Sequence, residues 1–240
     1  MKSKISWPGL VLLLVIFTAS CSKENQCIRG NSDISTQTVN LSSFEGVDFR
    51  LAGYVQVVKG TAPSVTIRAS DNHIDLIRAQ VRGSNLVIDT DNRCLKNTKI
   101  EITVTTPTLN FLRVAGSGDI VSADDFTADE WSLRVDGSGS INAKTLGGEV
   151  DAHISGSGDI QLQGTAESFI PTISGSGSIK AYALTAEEVA ARISGSGNIQ
   201  TTATKKLNVT ISGSGNVRYK GSPTTVNTSI SGSGKLIKAD

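Results

Sequence analysis

Short runs of alternating apolar and polar positions recur through the C-terminal half of the chain. The residues six, four and two places before a Gly-Ser-Gly triplet are mostly apolar: Trp131/Leu133/Val135, Val150/Ala152/Ile154, Phe169/Pro171/Ile173, Val189/Ala191/Ile193, Leu207/Val209/Ile211 and Val226/Thr228/Ile230. The residues between them are short or polar, as in Ser132/Arg134/Asp136, Asp151/His153/Ser155 and Asn208/Thr210/Ser212. A period of two with one apolar side predicts a strand with one buried face. The second residue after each triplet is aliphatic: Ile120, Ile141, Ile160, Ile179, Ile199, Val217 and Leu236. Two places further stand Ala143, Leu162 and Ala181. A second strand therefore follows each triplet and faces the same interior.

The triplet recurs seven times, beginning at residues 116, 137, 156, 175, 195, 213 and 232, with spacings of 21, 19, 19, 20, 18 and 19. So narrow a period predicts a solenoid of about 19-residue coils, each reading strand, bend, strand, variable turn. The structural bends are Gly116 and Gly118, Gly137 and Gly139, Gly156 and Gly158, Gly175 and Gly177, Gly195 and Gly197, Gly213 and Gly215, and Gly232 and Gly234. Glycine accepts the positive φ or close backbone approach that a sharp bend demands. Coils stacked at about 4.8 Å would align the aliphatic positions into continuous columns. Pro171 lacks a ladder N–H, so a local bulge or displaced strand is expected near it. An antiparallel meander is the rival. Every repeat keeps one pattern in one direction, which favours parallel stacking.

The chain before residue 112 is less regular. Phe49–Val57 reads as a degenerate coil when set against Leu112–Ile120, Val65–Arg68, Leu86–Asp89 and Ile100–Val104 alternate, and a helical turn fits at 72–77. Residues 30–110 are thus expected to be β-rich, continuous with the solenoid, and to cap its first end. No Pro/Gly linker divides the chain. The fold class read from these patterns is all-β, a parallel β-helix taken as right-handed because most parallel β-solenoids are. One domain spans 35–238, with its triplet repeats over 112–238.

Residues 1–20 read as an export signal: Lys2 and Lys4, an apolar stretch from Ile5, then small residues before Cys21. That ending resembles a bacterial lipobox with Cys21 as the lipid-attachment residue, although Thr18 stands where an aliphatic residue is usual. An ordinary signal peptide is the alternative. Residues 21–34 would follow as a tether. Lipidation of Cys21 leaves Cys27 and Cys94, and an oxidising compartment favours pairing them in a disulfide. It would close a loop of about 68 residues, worth about 3–4 kcal/mol.

Composition narrows the function classes. The net charge is +1, and −1 once Lys2 and Lys4 are removed with the signal, so no general attraction to nucleic acid is expected. Aromatic residues are 5% of 240, too few for a base-stacking or sugar-stacking platform. With two His and three Cys, no metal or other cofactor is expected.

The Cys27–Gly30 start, the Phe44–Val47 stretch, the Ala52-Gly53 coil and the iterated Ile-Ser-Gly-Ser-Gly-(Asp/Ser/Asn)-Ile motif resemble the auto-transporter adhesin head GIN domain family, over about residues 35–238. The resemblance implies a β-helix similar to pectin-lyase-like solenoids, export, often in Bacteroidetes, and an adhesion role.

The residue after each triplet is Asp119, Ser140, Asp159, Ser178, Asn198, Asn216 or Lys235, which suits a polar ladder better than a calcium column. No helix start follows the triplets to make a phosphate loop, and seven equivalent serines leave no unique nucleophile. The best catalytic candidate is Asp136, Asp151 and Asp159 with Arg134 and His153 nearby. Asp136, Arg134 and His153 are expected to share one outward face, and surface charge is the simpler account. His73 reads as ordinary surface.

The resulting expectation is a non-enzymatic lipoprotein, exported and anchored at the outer membrane, on the periplasmic or the cell-surface side. Its solenoid would serve adhesion or ligand binding, with a glycan or an envelope or host protein as partner. The alternatives are a structural, protein-pairing envelope component, open to homo-oligomerisation at an uncapped last coil, and then a polysaccharide lyase or hydrolase.

Overall fold

The computed structural model describes residues 27–240; the signal segment 1–20, Cys21 and the first tether residues lie outside them. The strands run β1 (Ile28–Arg29), β2 (Ile34–Asn40), β3 (Gly46–Phe49), β4 (Tyr54–Lys59) and β5 (Ser64–Ser70). The short helix α1 (Asp71–Ile74) precedes β6 (Arg78–Arg82), β7 (Asn85–Asp89), β8 (Leu95–Lys96), β9 (Glu101–Thr106) and β10 (Phe111–Val114). The repeats form β11 (Asp119–Val135), β12 (Ser140–Gly156), β13 (Asp159–Gly175), β14 (Ser178–Gly195), β15 (Asn198–Gly213), β16 (Asn216–Lys220), β17 (Thr225–Gly232) and β18 (Lys235–Lys238).

From β10 to β18 every neighbouring coil pairs in parallel, so the chain is a parallel β-solenoid. Ile120, Ile141, Ile160, Ile179, Ile199, Val217 and Leu236 stack in register. The column continues into the cap through Val55 and Ile102. All but Leu236, which is half-buried, are buried. Burying such a column removes roughly 1.5–3 kcal/mol of apolar exposure per side chain. Coil lengths differ, and the difference is absorbed at the variable turns. Between β11 and β12 the register shifts after Ser122 and resumes at Phe126; comparable shifts lie between Gln161 and Gln163 and between Ala181 and Thr185. The bends and aliphatic columns therefore stay aligned.

Pro171 behaves otherwise than expected. It is buried and paired in register with Ala152. Toward β14 the bridges at Ile170 and Pro171 are missing, yet Phe169↔Val189 and Thr172↔Arg192 keep one offset. The missing N–H costs ladder bonds without displacing the strand, because the columns on either side hold the register.

The cap departs from chain order. β7 pairs outside β3, and β10 pairs on its other side; β9 likewise lies outside β4, with β11 on the inner side. The coil made by β7 and β9 is thus the outermost, although it follows β3 and β4 in sequence. The return to β10 must cross one layer, about 10 Å, which the four residues 107–110 can span at roughly 3.3–3.6 Å each. Antiparallel strands close this end: β6 covers β7, while β5 and then β2 cover β9.

The N-terminal residues are pinned to this cap. β1 pairs with β8 beside the Cys27–Cys94 disulfide. Asn72 Nδ2 donates to Arg29 O at 2.7 Å and Asn72 Oδ1 accepts from Asn31 N at 3.0 Å. His73, expected on the surface, is instead fully buried, with Nε2 3.1 Å from Ile28 O. The helical turn presses its imidazole under the N-terminal strand, a contact between residues 45 apart. At the opposite end every residue of β17 is exposed, including Val226 and Ile230. Lys235 and Lys238 flank the other terminal strand, a common way to discourage edge pairing.

Candidate functional site

Two surfaces stand out. The first follows the bends. The residue before each of the last five triplets forms an in-register column, Ser155, Ser174, Ser194, Ser212 and Ser231. The central serines of the triplets stack beside it, because each bend N–H donates to a carbonyl one coil below, as from Ser176 to Gly156 O and from Ser196 to Gly175 O, both at 2.9 Å. Both columns are exposed. The last five bends thus carry a two-column ribbon of hydroxyls along the solenoid, repeating every coil.

The column just past the bends is polar, and its members pair with one another or with a side chain two residues further along the next coil. Ser140 Oγ donates to Asp119 Oδ1 at 2.6 Å, Lys180 Nζ bonds Asp159 Oδ2 at 2.9 Å, and Asn216 Nδ2 donates to Asn198 Oδ1 at 3.3 Å. Asp159 therefore sits across the bend from Asp136 and is engaged with Lys180. The rest of the catalytic candidate does share a face. Arg134 and His153 are direct neighbours in adjacent coils. Asp136 is held by Arg113 at 2.7 Å, and Asp151 lies 3.6 Å from Arg134. Each carboxylate has an arginine, an arrangement that satisfies surface charge.

The second surface is a cleft of about 650 Å³ at the capped end, walled by β6, the end of β7 and the disulfide loop that follows it. Four arginines, Arg50, Arg78, Arg82 and Arg93, open onto it. Arg50 Nη2 is 2.6 Å from Asp48. Arg78 lies 2.8 Å from Asp89 and 3.0 Å from Asp91. The hydrogen bond Arg50 donates to Asp48 raises the Arg50 pKa against partial burial, and the bonds Arg78 donates to Asp89 and Asp91 raise that of Arg78. Burial by itself would push the Asp89 carboxyl up. Hydrogen bonds from Arg78 and the Asp91 N–H, with the charges of Arg78 and Arg82, hold it below the usual carboxylate value. This pairing stabilises the cap fully above about pH 4, and the contribution is lost as pH falls through the lowered folded value. In acid titration of cap stability, Asp89→Asn is expected to remove that component; an acid limb unchanged by the substitution would contradict the pairing.

The sequence analysis did not single out this cleft. Its signal was present as a density: eight of ten arginines precede residue 135. Cys27 and Cys94 form the expected disulfide.

Residues 43–223 match the model of a family described as "Putative auto-transporter adhesin, head GIN domain". No curated protein matches the chain. Among solved structures, a "putative adhesin" from Bacteroides fragilis is 28% identical with a TM-score of 0.80, the match covering 88% of this chain and 100% of that one. A "putative lipid binding protein" from Parabacteroides distasonis is 25% identical with a TM-score of 0.75, covering 90% of this chain and 100% of that one. A "putative adhesin" from Parabacteroides merdae, 21% identical with a TM-score of 0.70, covers 89% and 99% and shares the fold.

Proposed function

The chain belongs to the auto-transporter adhesin head GIN domain family, and on that premise we propose that it is a non-enzymatic envelope lipoprotein whose solenoid is a binding surface. Its anchor is lipid on Cys21, its site the outer membrane, and its ligand an extended polar polymer such as a glycan. The observation that carries this reading is the serine ribbon. Hydroxyls both donate and accept, and a stiff parallel stack presents them at one spacing over five coils. Such an array pairs with a repeating polar chain better than with a single small molecule. The structure described as lipid binding brings a lipid in as a rival ligand. Here the stacked Ile, Val and Leu columns fill the solenoid interior, so an acyl chain would have to lie outside it.

A second reading, pairing with another protein, draws on the terminal coil, where β17 leaves Val226 and Ile230 exposed beside an open ladder edge. A polysaccharide-cleaving role falls behind both, since arginines engage Asp136 and Asp151, the carboxylates of the candidate cluster. Any turnover detected should survive Asp136→Ala/His153→Ala.

Membrane fractionation and protease shaving of intact cells test the anchor and address. The protein is expected in the membrane fraction, and Cys21→Ser is expected to release it. Retention of Cys21→Ser on the membrane would overturn lipid anchoring at that residue. Because a β-solenoid resists proteases, a cleavage site engineered within residues 22–26 reports exposure. Protection of that site alongside a periplasmic marker would rule out binding to external partners.

A further inference from the structure

We propose that the arginine-walled cleft at the capped end binds an acidic sugar, with Arg82 and Arg93 gripping its oxyanion group. The inference deepens the ligand-binding reading above and rests on it. The cleft's charges are unequally committed. Asp48 occupies Arg50, and Arg78 takes up both Asp89 and Asp91. Arg82 keeps only long contacts, 3.8 Å to Asp89 Oδ2 and 3.5 Å to Gln80 Oε1. Arg93 has no carboxylate within ion-pairing distance among the described residues and is exposed. Two planar forks therefore face the cleft with donors to spare. Planar guanidinium pairs suit carboxylate and phosphate groups.

The wall is built to hold its shape. Thr90 Oγ1 donates to Arg93 O at 2.7 Å and the Arg93 N–H returns to Thr90 O at 3.1 Å. Between them Asp91 and Asn92 adopt positive φ, and Cys94 fastens the loop to Cys27. Backbone of this kind is concentrated at binding sites, and a wall fixed before binding lowers the ordering cost. A volume of about 650 Å³ exceeds what a bare ion needs and falls within the range of small-molecule sites. Thr98 and Asn92 supply polar groups for hydroxyls, and Leu51 and Leu95 supply apolar surface for a ring's C–H face.

Titration calorimetry on the purified full-length chain tests this with tri-galacturonate, glucose 6-phosphate, neutral maltotriose, inorganic phosphate and phosphatidylglycerol vesicles. Tri-galacturonate or glucose 6-phosphate is expected to bind and maltotriose is not. Arg82→Ala/Arg93→Ala is expected to lower affinity at least ~10-fold, with Arg82→Lys/Arg93→Lys intermediate because charge stays and the fork is lost. Arg192→Ala, which removes a cation elsewhere on the same sheet, is expected to leave affinity unchanged. Equal loss in Arg192→Ala would mark unspecific attraction and overturn the site. So would equal binding of maltotriose, phosphate alone binding as tightly as the sugar acids, or binding of vesicles only. Acidic glycan binding that survives loss of both arginines would refute the cleft and leave the solenoid-surface reading standing. Absence of binding to any glycan by the unaltered chain would refute both.

Discussion

Gly177→Ala should destabilise the solenoid by about 3 kcal/mol or more, at the upper end of overpacking costs. The residue is buried at the bend between β13 and β14. A Cβ there would overlap Gly158 O in the preceding coil and lie 2.8 Å from Ile154 Cγ2. Neither neighbour can give way, because Gly158 O accepts the Ser178 N–H at 3.2 Å and Ile154 belongs to the packed interior. Gly175 carries a second penalty, since its φ of +146° is one that side chains rarely adopt. Ser176→Ala, between the two, removes only an exposed hydroxyl and should stay within about 0.5 kcal/mol of the parent. Gly234→Ala should cost less than Gly177→Ala, because among the described residues the last coil has a neighbour on one side only and can shift outward. Denaturant unfolding followed by circular dichroism measures all three. Equal midpoints for Gly177→Ala and Ser176→Ala would refute bend stacking as the basis of the coil.

Removing the disulfide is the other change with a large expected effect. Cys27 and Cys94 close a loop with a sequence separation of 67, which chain entropy values at about 4 kcal/mol. The loss should be local. In a stacked repeat, stability is close to a sum over neighbouring coils, and the bridge ties only β1, the loop before β8 and the turn holding Asn72 and His73. In Cys27→Ser/Cys94→Ser, hydrogen exchange should quicken over about residues 27–40 and 85–106 while the coils from β12 to β15 keep their protection. Uniform loss of protection would mean that cap and coils unfold as one unit. The cleft shares Cys94 with the bridge, so the same variant should loosen the loop bearing Arg93.

Much of the solenoid was legible in the chain, because its rules are local. A side chain's face in a strand depends on odd or even position, so the alternation of Leu207/Val209/Ile211 with Asn208/Thr210/Ser212 reads directly as inside and outside. The recurring triplet sets the coil length, and the aliphatic residue two places after it predicts the stacked column from Ile120 to Leu236. The degenerate coil at Phe49–Val57 does stack on the first regular coil, but two residues out of the register its likeness to Leu112–Ile120 implied: Phe49 pairs with Val114 and Val55 with Ile120. Within the catalytic candidate, Arg134 and His153 adjoin, while Asp159 is engaged by Lys180.

What tertiary structure alone decided lies in the cap. The stacking order β7, β3, β10 has no counterpart in sequence order, since the cost of closing longer loops grows only slowly with length and leaves the path open. His73 is a polar residue in a polar stretch, buried only because a strand 45 residues earlier is fastened over it. The cleft gathers Arg50, Arg78, Arg82 and Arg93 from three separate segments through an antiparallel strand and a disulfide loop. The sequence by itself determined the repeating coil, its interior and its bends, because these follow from nearest neighbours along the chain. The cap's order and its charged cleft were decided by contacts between residues far apart in sequence, which follow no period.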